Sequence, residues 1–151
     1  MKVMYMKKFI IILLILFIAL AVGVYSVYSY RSRIIEAQKL NKEYEQYYNI
    51  EILGTELISI INRTSDINHK NNIEKDTDGY YVDNGNNSLH IYIKFVYKNN
   101  TKTIPMEDIE KSGSETFIKV YSTASFKCTN IEYHEKTHNV KSLTFEEKIE
   151  M

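Results

Sequence analysis

The sequence predicts an α+β protein: a long N-terminal transmembrane and stalk helix, followed by a small, mostly antiparallel sheet with two or three short helices. Three observations predict this class. An uncharged apolar run lies near the N-terminus, a segment without Gly or Pro follows it with apolar residues every three or four positions, and several later segments alternate apolar and polar residues. Spacings of three and four indicate helices, and strict alternation indicates half-buried strands.

The first predicted element is a transmembrane helix over residues 9–30, preceded by a basic tail over residues 1–8. The chain from Phe9 to Tyr25 carries no charge, and residues 9–30 would extend roughly 33 Å as a helix, enough to cross the hydrocarbon core. A cleaved secretory signal is the alternative, but the apolar run exceeds the usual core of about 7–15 residues. We therefore favour a retained signal-anchor that crosses the lipid bilayer once.

The formal net charge of zero hides a difference between two parts of the chain, because residues 1–30 carry +3 and residues 31–151 carry −3. A nucleic-acid-binding domain needs a surplus of Lys and Arg, so this deficit argues against nucleic acid as a partner. Basic residues flank the apolar run on both sides, which leaves the positive-inside comparison open. The short basic tail favours an N-terminus in the cytoplasm and a C-terminal domain outside.

Residues 31–48 are predicted to continue the helix as a stalk. Apolar side chains recur there at spacings of three and four, at Ile34, Ala37, Leu40, Tyr44 and Tyr47. The stripe covers barely two heptads, which is short for a coiled coil. We therefore expect it to pack on the protein's own domain.

Residues 49–151 are predicted to form a small extracytoplasmic α+β domain. Its first half is predicted to contain a strand over 49–53, a helix over 56–63 with Thr55 as N-cap, a polar loop over 65–75, a strand from Gly79 to Val82 entering an Asn84-Gly85 turn, and a strand over 88–97. Along the last strand, one face is apolar and consists of Leu89, Ile91, Ile93 and Phe95. The other face holds His90, Tyr92, Lys94 and Val96.

In the second half of the domain, a turn is predicted at Asn99-Asn100, and a short helix is predicted to begin near Pro105 and to end at Gly113. Residues 114–122 are predicted to be helical, with inward side chains at Phe117, Val120 and Tyr121. Residues 125–135 and 140–148 alternate, and we expect them to pair as an antiparallel hairpin.

The sharpest chemical pattern is the H-E-x-x-H match of His134, Glu135 and His138. On a helix, two His side chains four residues apart can hold one zinc ion while the Glu activates its water. The flanking residues are β-branched and aromatic, so we expect this motif to straddle a hairpin turn instead. The three residues are weak metal candidates, and we assign no catalytic residue, metal ligand or cofactor.

Two other sequence patterns are weaker indications of a functional site. Residues 74–79 are similar to the start of an EF-hand loop, but the twelfth position of that loop is Gly85, which offers no side-chain ligand. The single cysteine, Cys128, permits no internal disulfide and is expected to be a small buried hydrophobe in a strand.

Four stretches carry a resemblance: GTELISIIN at 54–62, NNIEKDTDGYYVDNGNNSLHI at 71–91, ETFIKVYS at 115–122 and FKCTNIEYHEKTHNVKSLTFEE at 126–147. With the apolar anchor and a polar helix ending in Tyr, the chain resembles small N-terminally membrane-anchored proteins of low-GC Gram-positive bacteria, a group of unknown function. The resemblance spans nearly all of residues 40–147. It implies a location in the cell envelope and supplies no catalytic residues.

These expectations describe a membrane-anchored extracytoplasmic protein that acts through interactions or as a structural part and is not an enzyme. Its expected partner is another envelope protein, within an envelope or pilus-like assembly. Two alternatives remain open: a zinc-dependent hydrolase that uses the motif at 134–138, and a secreted binding module released by signal cleavage.

Overall fold

The computed structural model describes residues 2–97 and 100–148, with side chains placed for all of these except residues 2–6 and 97. Within these residues the elements are α1 (Lys2–Glu45), β1 (Glu51–Leu53), α2 (Gly54–Lys70), β2 (His90–Tyr97), β3 (Asn100–Pro105), α3 (Met106–Ser112), α4 (Ser114–Tyr121), β4 (Ser125–Tyr133) and β5 (Val140–Lys148). A long helix thus precedes a five-stranded mixed sheet and three shorter helices, which confirms the predicted α+β class. The chain divides into two compact units, one ending at Lys39 and the other beginning at Leu40.

The first unit consists of the part of α1 up to Lys39. Every large apolar side chain between residues 9 and 30 is between 54% and 72% exposed. Contiguous apolar surface on this scale is unfavourable in water. By its length and composition, this helix is a candidate membrane span.

The second unit contains the sheet, whose described strands lie in the order β1-β4-β5-β2-β3. Three neighbouring pairs are antiparallel, and the β4–β5 hairpin is the one predicted from the sequence. The fourth pair, β2 with β5, is parallel and places Ile91 opposite Leu143. The sheet is therefore mostly antiparallel, as predicted.

The core lies between the apolar face of this sheet and the helices α2, α3 and α4. The predicted inward face of β2 is confirmed, because its four apolar side chains are at most 4% exposed. They belong to one cluster with Leu57, Ile61, Met106, Ile109, Phe117, Phe126 and Phe145. Burying one such side chain contributes roughly 1.5–3 kcal/mol, so this cluster is the main stabilising feature of the domain.

The last turn of α1 also packs into the core of the second unit. Tyr44 is buried, and its hydroxyl lies 2.8 Å from the Thr64 hydroxyl on α2. Leu40 and Tyr47 are partly buried against the same cluster. The expectation that the stripe packs on its own domain is confirmed for these three residues, although the helix ends at Glu45 instead of residue 48.

The predicted loop over 65–75 is wrong at its start, because α2 continues to Lys70. Two polar side chains of α2 are buried: Thr64 contacts Tyr44, and Asn68, which lies in the predicted loop, bonds to the backbone of Leu89. The predicted Thr55 cap is also wrong, since the helix begins at Gly54 with no side-chain cap bond. Polar residues here serve tertiary contacts, which local composition does not reveal.

The predicted strand from Gly79 to Val82 is wrong as well. Tyr81 forms an isolated bridge with Lys75, and its N–H donates to the carboxylate of Glu107 on α3, 3.1 Å away. The Asp76 carboxylate accepts the N–H groups of Asp78 and Tyr80, which holds a tight turn. The segment therefore docks on α3 and does not extend the sheet.

The helices after β3 follow the prediction with one exception. Pro105 precedes the first residue of α3, and Gly113 ends that helix with a φ of +86°. In α4 the inward residues are Phe117, Ile118 and Tyr121, whereas Val120 is 67% exposed, so its predicted inward position is wrong. The predicted turn at Asn99-Asn100 falls partly outside the described residues, and Asn100 begins β3.

Candidate functional site

Hydrogen bonds to the side chain of Asn84 hold the loop over residues 83–88 in shape. The side-chain oxygen of Asn84 accepts the N–H groups of Asn86, Asn87 and Ser88 at 3.0–3.1 Å. Gly85 has a φ of +70°, a conformation that Gly adopts without strain. The predicted Asn84-Gly85 turn therefore exists as part of this loop and not as a hairpin between two strands.

The turn over residues 134–139 joins β4 to β5 and contains the H-E-x-x-H match. Its ends are closed by two backbone bonds: the His134 N–H donates to Asn139 and the His138 N–H donates to His134, each at 2.9 Å. The expectation that the motif straddles a hairpin turn is confirmed. His134 is buried, whereas His138 and Glu135 are exposed, so the structure does not bring the two imidazoles into a common environment.

The 83–88 loop docks on the 134–139 turn, and we call this contact, with Lys141 of β5, the loop–turn junction. The carbonyl of Asn86 accepts the Thr137 hydroxyl at 2.6 Å and the side-chain amide of Asn139 at 3.1 Å. The Nε2 of His134 lies 2.8 Å from the main-chain carbonyl of Ser88. Because a carbonyl can only accept, Nε2–H is the donor in this bond.

An ion pair adds to the junction. The Nζ of Lys141 lies 2.7 Å from one oxygen of Asp83, and the other oxygen lies 3.7 Å from the Nδ1 of His134. The hydrogen bond from Lys141 lowers the pKa of Asp83 to about 2, with help from the Gly85 N–H. The Ser88 hydroxyl donates to Asp83 at 3.2 Å, whereas the Ser88 carbonyl accepts the bond from the His134 ring.

His90 lies beside this junction at the first residue of β2. Its ring stacks on Tyr92 with centroids 6.3 Å apart, and it is only 8% exposed. Its Nε2 has no hydrogen-bond partner among the residues that the structure describes. Burial lowers the pKa of this imidazole, so the neutral form is favoured.

The end of α1 holds the opposite side of the 134–139 turn. The side chain of Asn41 donates to the carbonyl of His138 and accepts the N–H of Val140, both at 2.8 Å. The turn is thus held by α1 on one side and by the 83–88 loop on the other.

The other sequence candidates lie elsewhere. Cys128 is fully buried opposite Phe145, and burial raises the pKa of its thiol to about 11, which confirms the expected small buried hydrophobe. The EF-hand-like segment forms the tight turn around Asp76 described above. Within residues 2–97 and 100–148, no cluster of three His, Cys, Asp or Glu side chains is arranged to hold a metal ion.

The sequence indicates His134 as a weak metal candidate and does not reveal its partners in the junction. Asp83 and Lys141 are far apart in the chain, and the Asn41 bonds cross 97 and 99 residues. The alternation along β2 did place His90 on the polar face of that strand. The burial of His90 on that face was not visible, because the local pattern predicts a polar and exposed position.

Comparisons with protein-family models, with curated proteins and with solved structures find no match to this chain.

Proposed function

We propose that the protein is held in the cytoplasmic membrane by residues 9–30 and that its α+β domain lies outside. The observation that carries this proposal is the exposed apolar surface of α1, on which every large apolar side chain from residue 9 to 30 is more than half exposed. Lipid is the environment in which such a helix is stable, because all its backbone groups are paired internally. The basic tail supports an N-terminus on the cytoplasmic side.

The role we propose for the domain is binding to another envelope protein, as an accessory part of an envelope or pilus-like assembly. Support comes from β1, which lies at the edge of the sheet. Around it, Tyr48, Ile50 and Leu53 are 55%, 51% and 52% exposed, although each is a large apolar side chain. Aromatic and aliphatic side chains at an exposed edge are typical of protein-binding surfaces.

Protease accessibility on intact cells tests the topology. We expect a C-terminally tagged chain to be degraded by external protease in intact cells, while an N-terminal tag is protected until the cells are lysed. Protection of the C-terminal tag in intact cells would contradict the proposed orientation. The mass of the chain purified from membranes separates a retained anchor from a cleaved signal, because cleavage removes residues up to the end of the apolar run.

A photo-crosslinking amino acid at Ile50 tests the role of the domain. We expect a discrete adduct with a membrane or envelope protein, and we expect Leu53→Asp in the same chain to reduce it strongly. The matched control places the crosslinker at exposed Glu115 on α4. Equal adducts from both positions, or adducts unaffected by Leu53→Asp, would contradict binding through the β1 edge.

A further inference from the structure

One ring nitrogen of the buried His90 lacks a hydrogen-bond partner in the described part of the chain. His90 is 8% exposed, and its Nε2 is unpaired among the residues described by the structure. Buried polar atoms are almost always hydrogen-bonded, and the exceptions call for an explanation in strain or function. Here the unpaired atom sits two residues after Ser88, the residue whose carbonyl binds His134 in the loop–turn junction.

Four charged or titratable groups lie around His90, and they come from four parts of the domain. Asp83 comes from the 83–88 loop, Lys141 from β5, His134 from the 134–139 turn, and Tyr92 stacks from β2. Asp83 is the only acid among these four groups, and its carboxylate already binds Lys141 at 2.7 Å. A proton added to His90 would therefore place a second cation near the Asp83–Lys141 pair.

We propose that the loop–turn junction is an acid-sensitive latch, in which uptake of one proton by buried His90 releases the 83–88 loop from the 134–139 turn. Release exposes the ring, so that the imidazolium is hydrated and can bind water with both N–H groups. Deprotonation returns the neutral ring to its buried site, and the contacts of Asn86 and Asp83 with the turn and with Lys141 form again.

The direction in which pH affects the latch follows from the burial of His90. Because burial lowers the pKa of His90 in the closed state below its ordinary value of 6.5, the open state binds more protons. The closed latch is thus fully stabilised above that ordinary value and loses stability as the pH falls below it.

Hydrogen exchange of the full chain in detergent micelles at pH 7.5 and pH 5.0, corrected for intrinsic exchange rates, tests the latch. We expect protection of peptides covering 83–89 and 134–140 to fall by about tenfold or more at the lower pH, while peptides from the cores of β2 and β5 keep theirs. In His90→Phe, which retains an aromatic ring against Tyr92, we expect this fall to disappear. If that variant does not fold, His90→Gln replaces it.

A control variant makes the outcome decisive. His69→Gln removes an exposed histidine on α2 and should leave the acid response intact. The proposal is overturned if the wild-type protection does not change, if it falls equally in the sheet core, or if the response survives in both His90 variants.

Discussion

Asn68 uses both polar atoms of its side-chain amide on the backbone of a single residue, Leu89. Its nitrogen donates to the Leu89 carbonyl at 2.6 Å, and its oxygen accepts the Leu89 N–H at 2.9 Å. Both residues are almost fully buried, and Leu89 lies one residue before β2 begins. The amide therefore takes the place of a neighbouring strand and fixes where the chain enters the sheet.

Replacing this amide should destabilise the domain. Asn68→Ala leaves two buried backbone groups unpaired, at a cost of about 2–6 kcal/mol, since each orphaned group costs about 1–3 kcal/mol. The measurement is the urea midpoint of the full chain in micelles, followed by pulse proteolysis. Asn62→Ala, on an exposed position of the same helix, is the control and should change stability by less than about 0.5 kcal/mol. Equal midpoints for the two variants would contradict this role.

Asn68 also shows which parts of the fold the sequence can reveal. Elements with a strong local period were predicted closely, such as β2 and the β4–β5 hairpin, because alternation reports a sheet with one buried face. The segment around Asn68 was predicted to be a loop, because an Asn in a polar segment has no local sign that its partner is a distant backbone. The junction around Asp83 was missed for the same reason, since its contacts reach Lys141 and the 134–139 turn.

Gly54 is required by a close approach of two helices. A Cβ at this position would overlap the carbonyl oxygen of Tyr121 and lie 2.8 Å from its carbonyl carbon. These are backbone atoms at the end of α4, so the overlap can be relieved only by moving a helix. We expect Gly54→Ala to lower the free energy of unfolding by about 1–3 kcal/mol, although Ala is a better helix former than Gly by up to about 1 kcal/mol.

The matched control for this prediction is the same change at Gly23, where a Cβ meets nothing within 4 Å. Gly23→Ala should leave the urea midpoint of the domain unchanged. If Gly54→Ala were as stable as Gly23→Ala, the packing of α2 against the end of α4 would be looser than described.

Cys128 should be chemically inert in the folded protein. Its side chain is fully buried and its thiol pKa is raised to about 11 by burial, so thiolate is scarce at pH 8. We expect a thiol reagent to react with Cys128 only after unfolding in urea. Val120→Cys places a thiol at a 67% exposed position and should react at least about a hundredfold faster than Cys128 in the same folded chain. Similar rates for both thiols would contradict the burial of β4.

Glu107 makes the stability of the domain depend on pH. The sign of this dependence is opposite to that from Asp83, whose pKa is lowered in the folded protein. Its carboxyl is 3% exposed and accepts the N–H of Tyr81 at 3.1 Å. Burial raises its pKa above the ordinary value of 4.5, so the folded state binds the proton more tightly than the unfolded chain. The resulting stabilisation is present below pH 4.5 and is lost as the pH rises through the folded pKa.

Glu107→Gln should therefore raise the unfolding temperature at pH 7. The Gln oxygen can still accept the Tyr81 N–H, while the cost of burying a charge is removed. The gain should shrink as the pH falls through the raised pKa of Glu107, and it should be gone below 4.5, where the wild-type carboxyl is protonated in both states. Glu115→Gln changes an exposed carboxyl in the first turn of α4 and should shift the unfolding temperature much less. A lower unfolding temperature for Glu107→Gln at pH 7 would show that the charged carboxylate itself holds Tyr81 in place, because charge is the property that this substitution removes while keeping the acceptor.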